Sequence, residues 1–248
     1  MPPSDTFRLS GEPAPPLPRH CTSCLSYERG ACGVLTPDQL RRLAATALRR
    51  RFPPGSQILP PTRAEDLCAS LVSGVAKLSC HLEGGRQQIV ALATAPSIVA
   101  APFADRDDTR AVAATEVDVC LLRRSTLEDL ARENHALEHE LHESSLADLR
   151  DARELLVTLG RKSARERVAW FLLFMRQRHC RTEEPAPEGS VIELPLSRGD
   201  IADFLGLTIE TVSRQFSQLK NEGAITVPDG RRFSVRDLRQ LEAAAGRA

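Results

Sequence analysis

The chain has 248 residues and carries 33 basic and 33 acidic side chains, so its formal net charge is zero. A neutral chain has no overall attraction to nucleic acid or to a membrane surface, and any nucleic-acid site must therefore be a local patch. No stretch approaches the roughly 18 consecutive apolar residues of a membrane span, and no secretory signal pattern opens the chain, which predicts a cytoplasmic protein without membrane contact. The seven cysteines are an odd number, which argues against a disulfide framework and leaves metal binding or burial.

Residues 1–20 contain six prolines and too little apolar surface to offset the entropy of ordering, so we expect a disordered tail. Directly after it, the stretch CTSCLSYERGAC holds Cys21, Cys24 and Cys32 close together. Thiolates are soft ligands, and both zinc and iron–sulfur clusters commonly take four of them. The spacing alone does not choose between the two metals, and it leaves the site one ligand short.

A helix is expected to begin at Thr36-Pro37, because threonine is a good N-cap and proline is favoured at the first helical position. Its apolar face includes Leu40, Leu43 and Leu48, and Pro53 should end it. From residue 57 to 123 the pattern changes to short runs of β-branched or alternating residues, separated by turn residues such as Glu83-Gly84-Gly85. This region predicts a meander of antiparallel strands.

Residues 127–159 predict a shorter helix leading into a long one. Steps of four and three, as in a coiled-coil seam, predict a weak homodimer, although the helix could instead pack on its own domain. The seam positions are Ser145, Leu149, Ala152, Leu156 and Leu159. Beyond them, the apolar helix SARERVAWFLLFMRQR predicts the core of a second domain, with Val168, Phe171, Leu172 and Met175 on a shared face.

Three histidines of the long helix, His135, His139 and His142, share one face and in principle could bind a metal. They alternate with glutamates, which favours a solvated acidic face.

Residues 196–226, LSRGDIADFLGLTIETVSRQFSQLKNEGAIT, have the spacing of a helix-turn-helix motif. Ser197 is the expected N-cap of the first helix, Gly206 the turn, and Thr208 the N-cap of the second helix. On the second helix a buried stripe is expected at Ile209, Val212, Phe216 and Leu219.

The opposite face of the second helix carries Glu210, Ser213 and Arg214 at i, i+3 and i+4, so their tips should converge. A carboxylate accepts from cytosine, a guanidinium binds guanine, and a hydroxyl serves base or phosphate, which suits readout of a major groove. An exposed Glu210–Arg214 ion pair is the open alternative. The candidate DNA-contacting residues are Glu210, Ser213, Arg214, Thr208, Ser217 and Arg198.

The following stretch, AITVPDGRRFSV, predicts a hairpin with Asp229-Gly230 at its tip. Arg231 and Arg232 stand beside that tip, where the wing of a winged helix-turn-helix would contact phosphate.

The chain resembles the CRP/FNR family of bacterial transcription regulators, and within it the FNR branch of oxygen sensors. The likeness rests on LVSGVAKL, GRQQIV, SARERVAWFLL and LSRGDIADFLGLTIETVSR. It implies an α+β fold with a cyclic-nucleotide-binding-like antiparallel β-roll, a long dimerisation helix and a C-terminal winged helix-turn-helix. The implied divisions are a tail at 1–20, a cluster loop and β-roll sensor domain at 21–126, the dimerisation helix at 127–161 and the DNA-binding domain at 162–248.

The resemblance also implies that Glu210, Ser213 and Arg214 read inverted TTGAT half-sites in double-stranded DNA, and that RNA polymerase is a partner. It implies a 4Fe-4S cluster on Cys21, Cys24 and Cys32 with Cys120 as the fourth ligand. Residues 101–116 lack the glycine-glutamate turn and arginine-serine pair that hold a cyclic nucleotide, so none is expected.

The leading hypothesis is therefore a homodimeric, oxygen-responsive activator of genes for low-oxygen metabolism that binds DNA when its cluster is intact. The alternative in the same fold holds zinc or uses redox thiols. The sequence shows no nucleophile matched with a general base, no phosphate-binding loop and no cluster of residues typical of a substrate site, so no enzyme is predicted.

Overall fold

A computed structural model of the chain describes residues 17, 21, 24–59, 66–99, 109–179 and 189–246. The predicted tail lies outside these residues except for Leu17. The described helices are α1 (Leu25–Arg29), α2 (Pro37–Thr46), α3 (Arg124–Glu133), α4 (His135–Arg161), α5 (Ala164–His179), α6 (Arg198–Leu205), α7 (Ile209–Asn221) and α8 (Leu238–Ala244). Within the described ranges, none of them combines the length and apolar character required to cross a bilayer.

The first half of the chain forms two antiparallel four-stranded sheets, in the orders β1-β8-β3-β6 and β2-β7-β4-β5. The strands are β1 (Leu48–Phe52), β2 (Gln57–Leu59), β3 (Leu67–Ser73), β4 (Val75–His81), β5 (Gln87–Thr94), β6 (Ile98–Val99), β7 (Arg110–Ala113) and β8 (Val117–Arg123). The turn Glu83–Gly85 joins β4 to β5, as predicted. Apolar residues of both sheets, including Leu71, Ala76 and Val119, pack together between them.

Side chains alternate along a strand, so β3 and β8 also present a second face away from the other sheet. On that face Cys68 and Leu122 are buried against α2, α3 and the start of α4, together with Leu40, Leu130 and Leu137. This second core covers the sheet from outside and links it to the helices. The predicted β-roll followed by helices is confirmed.

Helix α2 begins as predicted but ends earlier. Thr36 caps it with a capping box, in which its Oγ accepts from the Gln39 amide at 3.3 Å. The helix ends at Thr46, and the expected continuation towards Pro53 is wrong, because Leu48–Phe52 forms β1 paired with β8. Leu48, expected on the buried helical face, is 50% exposed. Pairing with a strand 65 or more residues away is a tertiary interaction that local sequence does not reveal.

The second half is built around α5, whose Val168, Phe171, Leu172 and Met175 are all buried, as predicted. Trp170 is also buried and stacks on Phe174 with ring centroids 5.1 Å apart. A three-stranded sheet has the order β10-β11-β9. Its strands are β9 (Val191–Glu193), β10 (Ile225–Asp229) and β11 (Arg232–Val235), of which β9 was not anticipated.

Candidate functional site

All four cysteines singled out from the sequence face one cavity on the outer side of the first sheet, namely Cys21, Cys24, Cys32 and Cys120. Each is partly exposed, and none is in a disulfide. Much of the remaining wall is apolar, from Tyr27, Leu40, Val72 and Leu122. The fold thus brings a strand residue to three residues of a distant loop.

The loop that carries three of these cysteines is shaped by its own backbone. The carbonyl of Cys24 accepts from the amides of Tyr27 and Glu28 at 2.9 and 3.1 Å, which starts α1. The Cys32 amide donates to the Ser26 carbonyl at 3.1 Å and folds the chain back. A Cβ on Gly33 would stand 2.4 Å from the Tyr27 carbonyl oxygen, so the loop needs glycine there.

A serine pair joins the loop to the sheet. Ser26 Oγ and Ser70 Oγ are 3.0 Å apart, and both side chains are buried. Ser70 on β3 lies directly opposite Cys120 on β8. The contact therefore anchors the loop beside the fourth cysteine.

The thiols of the cavity interact electrostatically. Burial, together with Cys120, Cys24 and Cys21, raises the pKa of Cys32 to about 12. Burial, Cys21 and Cys24 raise the pKa of Cys120 to about 11, and Arg49 opposes the increase. Without a bound cation these thiols stay protonated at neutral pH, so metal binding must release protons.

The cavity also touches the helices that follow the sheet. Cys21, Cys32 and Cys120 pack against the core that contains Leu130 and Leu137, at α3 and the start of α4. Asn134, between these helices, accepts from the Ala136 and Leu137 amides to cap α4. Its side-chain amide donates to the Val34 carbonyl at 3.0 Å, just after Cys32. Sequence reasoning missed this link.

No group of three or more His, Cys, Asp or Glu side chains in the described ranges is arranged to hold a metal ion. His135, His139 and His142 are all exposed on α4. Cys68 is fully buried, whereas Cys80 is only partly buried. Cys180 lies outside the described residues.

The helix-turn-helix forms as the caps predicted. Ser197 and Asp200 make a capping box at α6, and Thr208 Oγ accepts from the Thr211 amide at 3.2 Å to cap α7. Between the helices Gly206 adopts a left-handed conformation with φ of 60°, which glycine tolerates best.

The outward face of α7 carries Glu210, Ser213, Arg214 and Ser217, and all four are exposed. In the described structure no ion pair joins Glu210 to Arg214, so the alternative reading of this patch is not observed. Val212, Phe216 and Leu219 are buried as predicted. Ile209, expected in the same stripe, is 51% exposed at the first turn of α7, so the prediction that it is buried is wrong.

Arg198 and Thr208 lie near this face with different environments. The guanidinium of Arg198 stacks on the ring of Phe216 at 3.4 Å, which leaves it partly buried. Thr208 is exposed at the start of α7. The wing follows as strands β10 and β11, where Asp229 accepts from the Arg231 amide at 2.9 Å and Arg232 Nε at 2.6 Å.

Arg167 ties three helix ends together, a role that sequence reasoning missed. Its guanidinium donates to the carbonyls of Leu159, Lys162 and Leu205 at 2.7, 2.9 and 3.0 Å. These are carbonyls at or just beyond the ends of α4 and α6, where a cation is favoured. The long helix and the helix-turn-helix are thus fixed to each other.

Comparison with protein families identifies a Crp-like helix-turn-helix domain at residues 166–244. The "Probable transcriptional activator" of Rhizobium leguminosarum bv. viciae is 40% identical over 225 residues, which span 91% of this chain and 92% of that one. "Transcriptional activator protein FnrL" of Cereibacter sphaeroides is 32% identical over 233 residues, 94% of each chain. Among solved structures, FixK2 from Bradyrhizobium japonicum matches with a TM-score of 0.71 and 30% identity, over 80% of this chain and 96% of that one.

Proposed function

Because the chain belongs to the CRP/FNR family of DNA-binding transcription regulators, we propose that it is an oxygen-responsive activator of the FNR type. Its cofactor would be a 4Fe-4S cluster on Cys21, Cys24, Cys32 and Cys120. The observation that carries the proposal is that these four thiols, from a loop and a remote strand, line one cavity.

The cavity offers the ligand chemistry of such a cofactor, although its cysteines do not converge as the ligands of a single metal ion would. Four cysteine thiolates are the usual ligands of a 4Fe-4S cluster. Tyr27, Leu40 and Val72 limit the access of water, and the Arg49 guanidinium faces the thiols. The bound cluster would supply sensitivity to dioxygen. The residues of the chain would transmit the effect of its loss.

Signal transmission would begin at the loop. Bound thiolates would hold the loop against β8 and against the core at Leu130 and Leu137. Loss of the cofactor would release the loop and weaken the cover over the start of α4. Asn134, which bonds to the loop at Val34 and caps α4, lies on this route.

The response would be dimerisation through α4. Large apolar side chains are exposed along this helix, namely Leu146, Leu149, Leu156 and Val157. An exposed apolar stripe of this kind indicates a partner, here a second copy of the chain. A short seam gives a weak dimer, so a free-energy change of a few kcal/mol can shift the equilibrium between monomer and dimer.

In the dimer, the two α7 helices would enter successive major grooves about one turn apart on an inverted repeat. Glu210, Ser213 and Arg214 would read TTGAT-like half-sites, and Arg231 on the wing would contact phosphate. Activation would then require contact with RNA polymerase, as is usual for transcription activators.

Anaerobic purification tests the proposal. We expect a coloured protein with equal amounts of iron and sulfide that binds an inverted TTGAT repeat and loses both colour and affinity in air. Cys120→Ser should abolish the cofactor, whereas Cys80→Ser, on the other sheet, should retain it. A colourless zinc protein, or a DNA affinity indifferent to air, would contradict the oxygen-sensing function.

A further inference from the structure

We propose that Arg49 is a positioning residue of the cysteine site, where its guanidinium, held by Asp118, balances the negative charge of the bound thiolates. The inference rests on the proposed iron–sulfur function and assigns a task to a residue that is not a ligand.

Strand register brings Arg49 to the site. Arg49 on β1 is the direct partner of Cys120 on β8. Side chains directly opposite in an antiparallel pair share one face, with Cβ atoms about 4.5–5.5 Å apart. Asp118 precedes Cys120 by two residues and therefore lies on the same face. The guanidinium, the carboxylate and the thiol thus form one cluster, and Arg49 lines the cavity of the four cysteines.

Asp118 holds the guanidinium in one orientation. Arg49 Nε lies 3.1 Å from Asp118 Oδ1 and 3.0 Å from Oδ2, and Nη2 lies 2.7 Å from Oδ2. The Asp118 side chain is only 14% exposed, whereas that of Arg49 is 42% exposed. A fork held by both carboxylate oxygens is more rigid than a single ammonium contact.

The charge balance favours an effect on the thiolates. Cysteines must lose their protons to bind iron, and four thiolates give the loaded site a net negative charge. Such charge is poorly screened in a partly buried apolar cavity, so a nearby cation stabilises it.

The test measures how fast a ferrous chelator removes iron from the anaerobic, loaded protein. The visible absorbance of the protein monitors this loss. Changes in residues that support metal ligands typically alter metal affinity by about 10–100-fold. We expect Arg49→Gln to lose iron at least about tenfold faster than the unaltered chain. Arg50→Gln is the matched control, since Arg50 neighbours Arg49 but pairs with Val119 rather than Cys120, and successive strand residues point to opposite faces.

Two further measurements separate charge from packing. Arg49→Lys keeps the charge but loses the fork, and it should retain iron longer than Arg49→Gln does. Added salt screens a half-exposed charge, so it should accelerate iron loss in the unaltered chain more than in Arg49→Gln. If Arg49 had a purely structural role, Arg49→Lys and Arg49→Gln would accelerate iron loss equally. Added salt would then change the rate of iron loss by the same factor in the unaltered chain and in Arg49→Gln.

The possible outcomes distinguish this inference from the proposed function. Equal rates for Arg49→Gln and Arg50→Gln, in a chain that does hold iron and sulfide, overturn the role of Arg49 alone. An unaltered chain that holds neither iron nor sulfide overturns both.

Discussion

Arg214 is expected to contribute to sequence recognition rather than to general affinity. It is exposed on α7, one turn after Glu210 and beside Ser213. A guanidinium that contacts guanine discriminates between bases, so Arg214→Ala should cost about 1–3 kcal/mol on an inverted TTGAT repeat. Binding to a scrambled duplex should change much less. Fluorescence anisotropy with both duplexes measures the difference. Equal losses of affinity for the two duplexes would mean that Arg214 contacts the phosphate backbone of the DNA.

Arg231 provides the opposite expectation. It is exposed at the turn between β10 and β11, where its backbone, not its side chain, bonds to Asp229. Contact with phosphate carries no sequence information, so Arg231→Ala should weaken binding to both duplexes equally. It should also reduce the slope of log affinity against log salt concentration by about 1. An unchanged slope would show that the wing does not contact DNA.

Elements with local signals could be predicted from the sequence, and those fixed by remote partners could not. Thr36, Ser197 and Thr208 cap their helices as expected, because capping requires only neighbouring amides. The strand Leu48–Phe52 was mistaken for helix, since its five residues do not alternate in burial and β8 alone makes them a strand. With that strand, the position of Arg49 was missed as well.

The site shows the same division. The loop cysteines stand together in the sequence, whereas Cys120 was assigned through family resemblance and is brought to the cavity by the β1-β8-β3 sheet. Asn134 and Arg167 act through backbone carbonyls of other elements. Every residue has a carbonyl, so the sequence does not show which carbonyls these side chains will bind.

The junction between α3 and α4 yields a prediction for Asn134. Its Oδ1 caps α4, and its amide donates to the Val34 carbonyl and to Gln39 Oε1 at 3.0 and 2.9 Å. Asn134→Ala removes the cap as well as both donations, so it should lower the free energy of unfolding by about 0.5–2 kcal/mol from the cap alone. Urea denaturation measures this loss.

Asn134→Asp separates the two roles, because aspartate keeps the capping oxygen but cannot donate to Val34. It should retain the stability of α4 while amide hydrogen exchange in residues 30–36 becomes faster. Unchanged exchange in that loop would contradict a link between the cysteine loop and α4.

The apolar stripe on α4 predicts a specific defect in assembly. Leu156 is 69% exposed, so Leu156→Glu should leave the folded chain intact while placing a charge in the seam of the dimer. Sedimentation of the anaerobic protein should show monomers. Leu82→Glu, at a leucine that is 52% exposed in the β4–β5 turn, is the matched control and should remain dimeric. Dimerisation of both variants would place the interface elsewhere.

At the scale of the whole molecule, the β domain holds the first helix of the helix-turn-helix directly. Lys77 on β4 forms an ion pair with Asp200 in the first turn of α6. Gln87 donates to Asp203 Oδ2 at 2.6 Å, and Gln88 donates to the Phe204 carbonyl at 3.2 Å. The hairpin of β4 and β5 thus fixes the position of α6, and with it the direction in which α7 points.

The Lys77–Asp200 pair is mostly buried, so its loss should be costly. Lys77→Met leaves a carboxylate uncompensated at the boundary, with an expected loss on the order of 2 kcal/mol. Arg51→Met is the control, because the Arg51–Glu116 pair is exposed and spans 3.7 Å. Because the ion pair joins the two halves, Lys77→Met should also uncouple their unfolding, so that calorimetry shows two transitions where Arg51→Met shows one. A single transition at the original temperature would mean that the remaining contacts, including those of Gln87 and Gln88 with α6, are enough to hold the halves together.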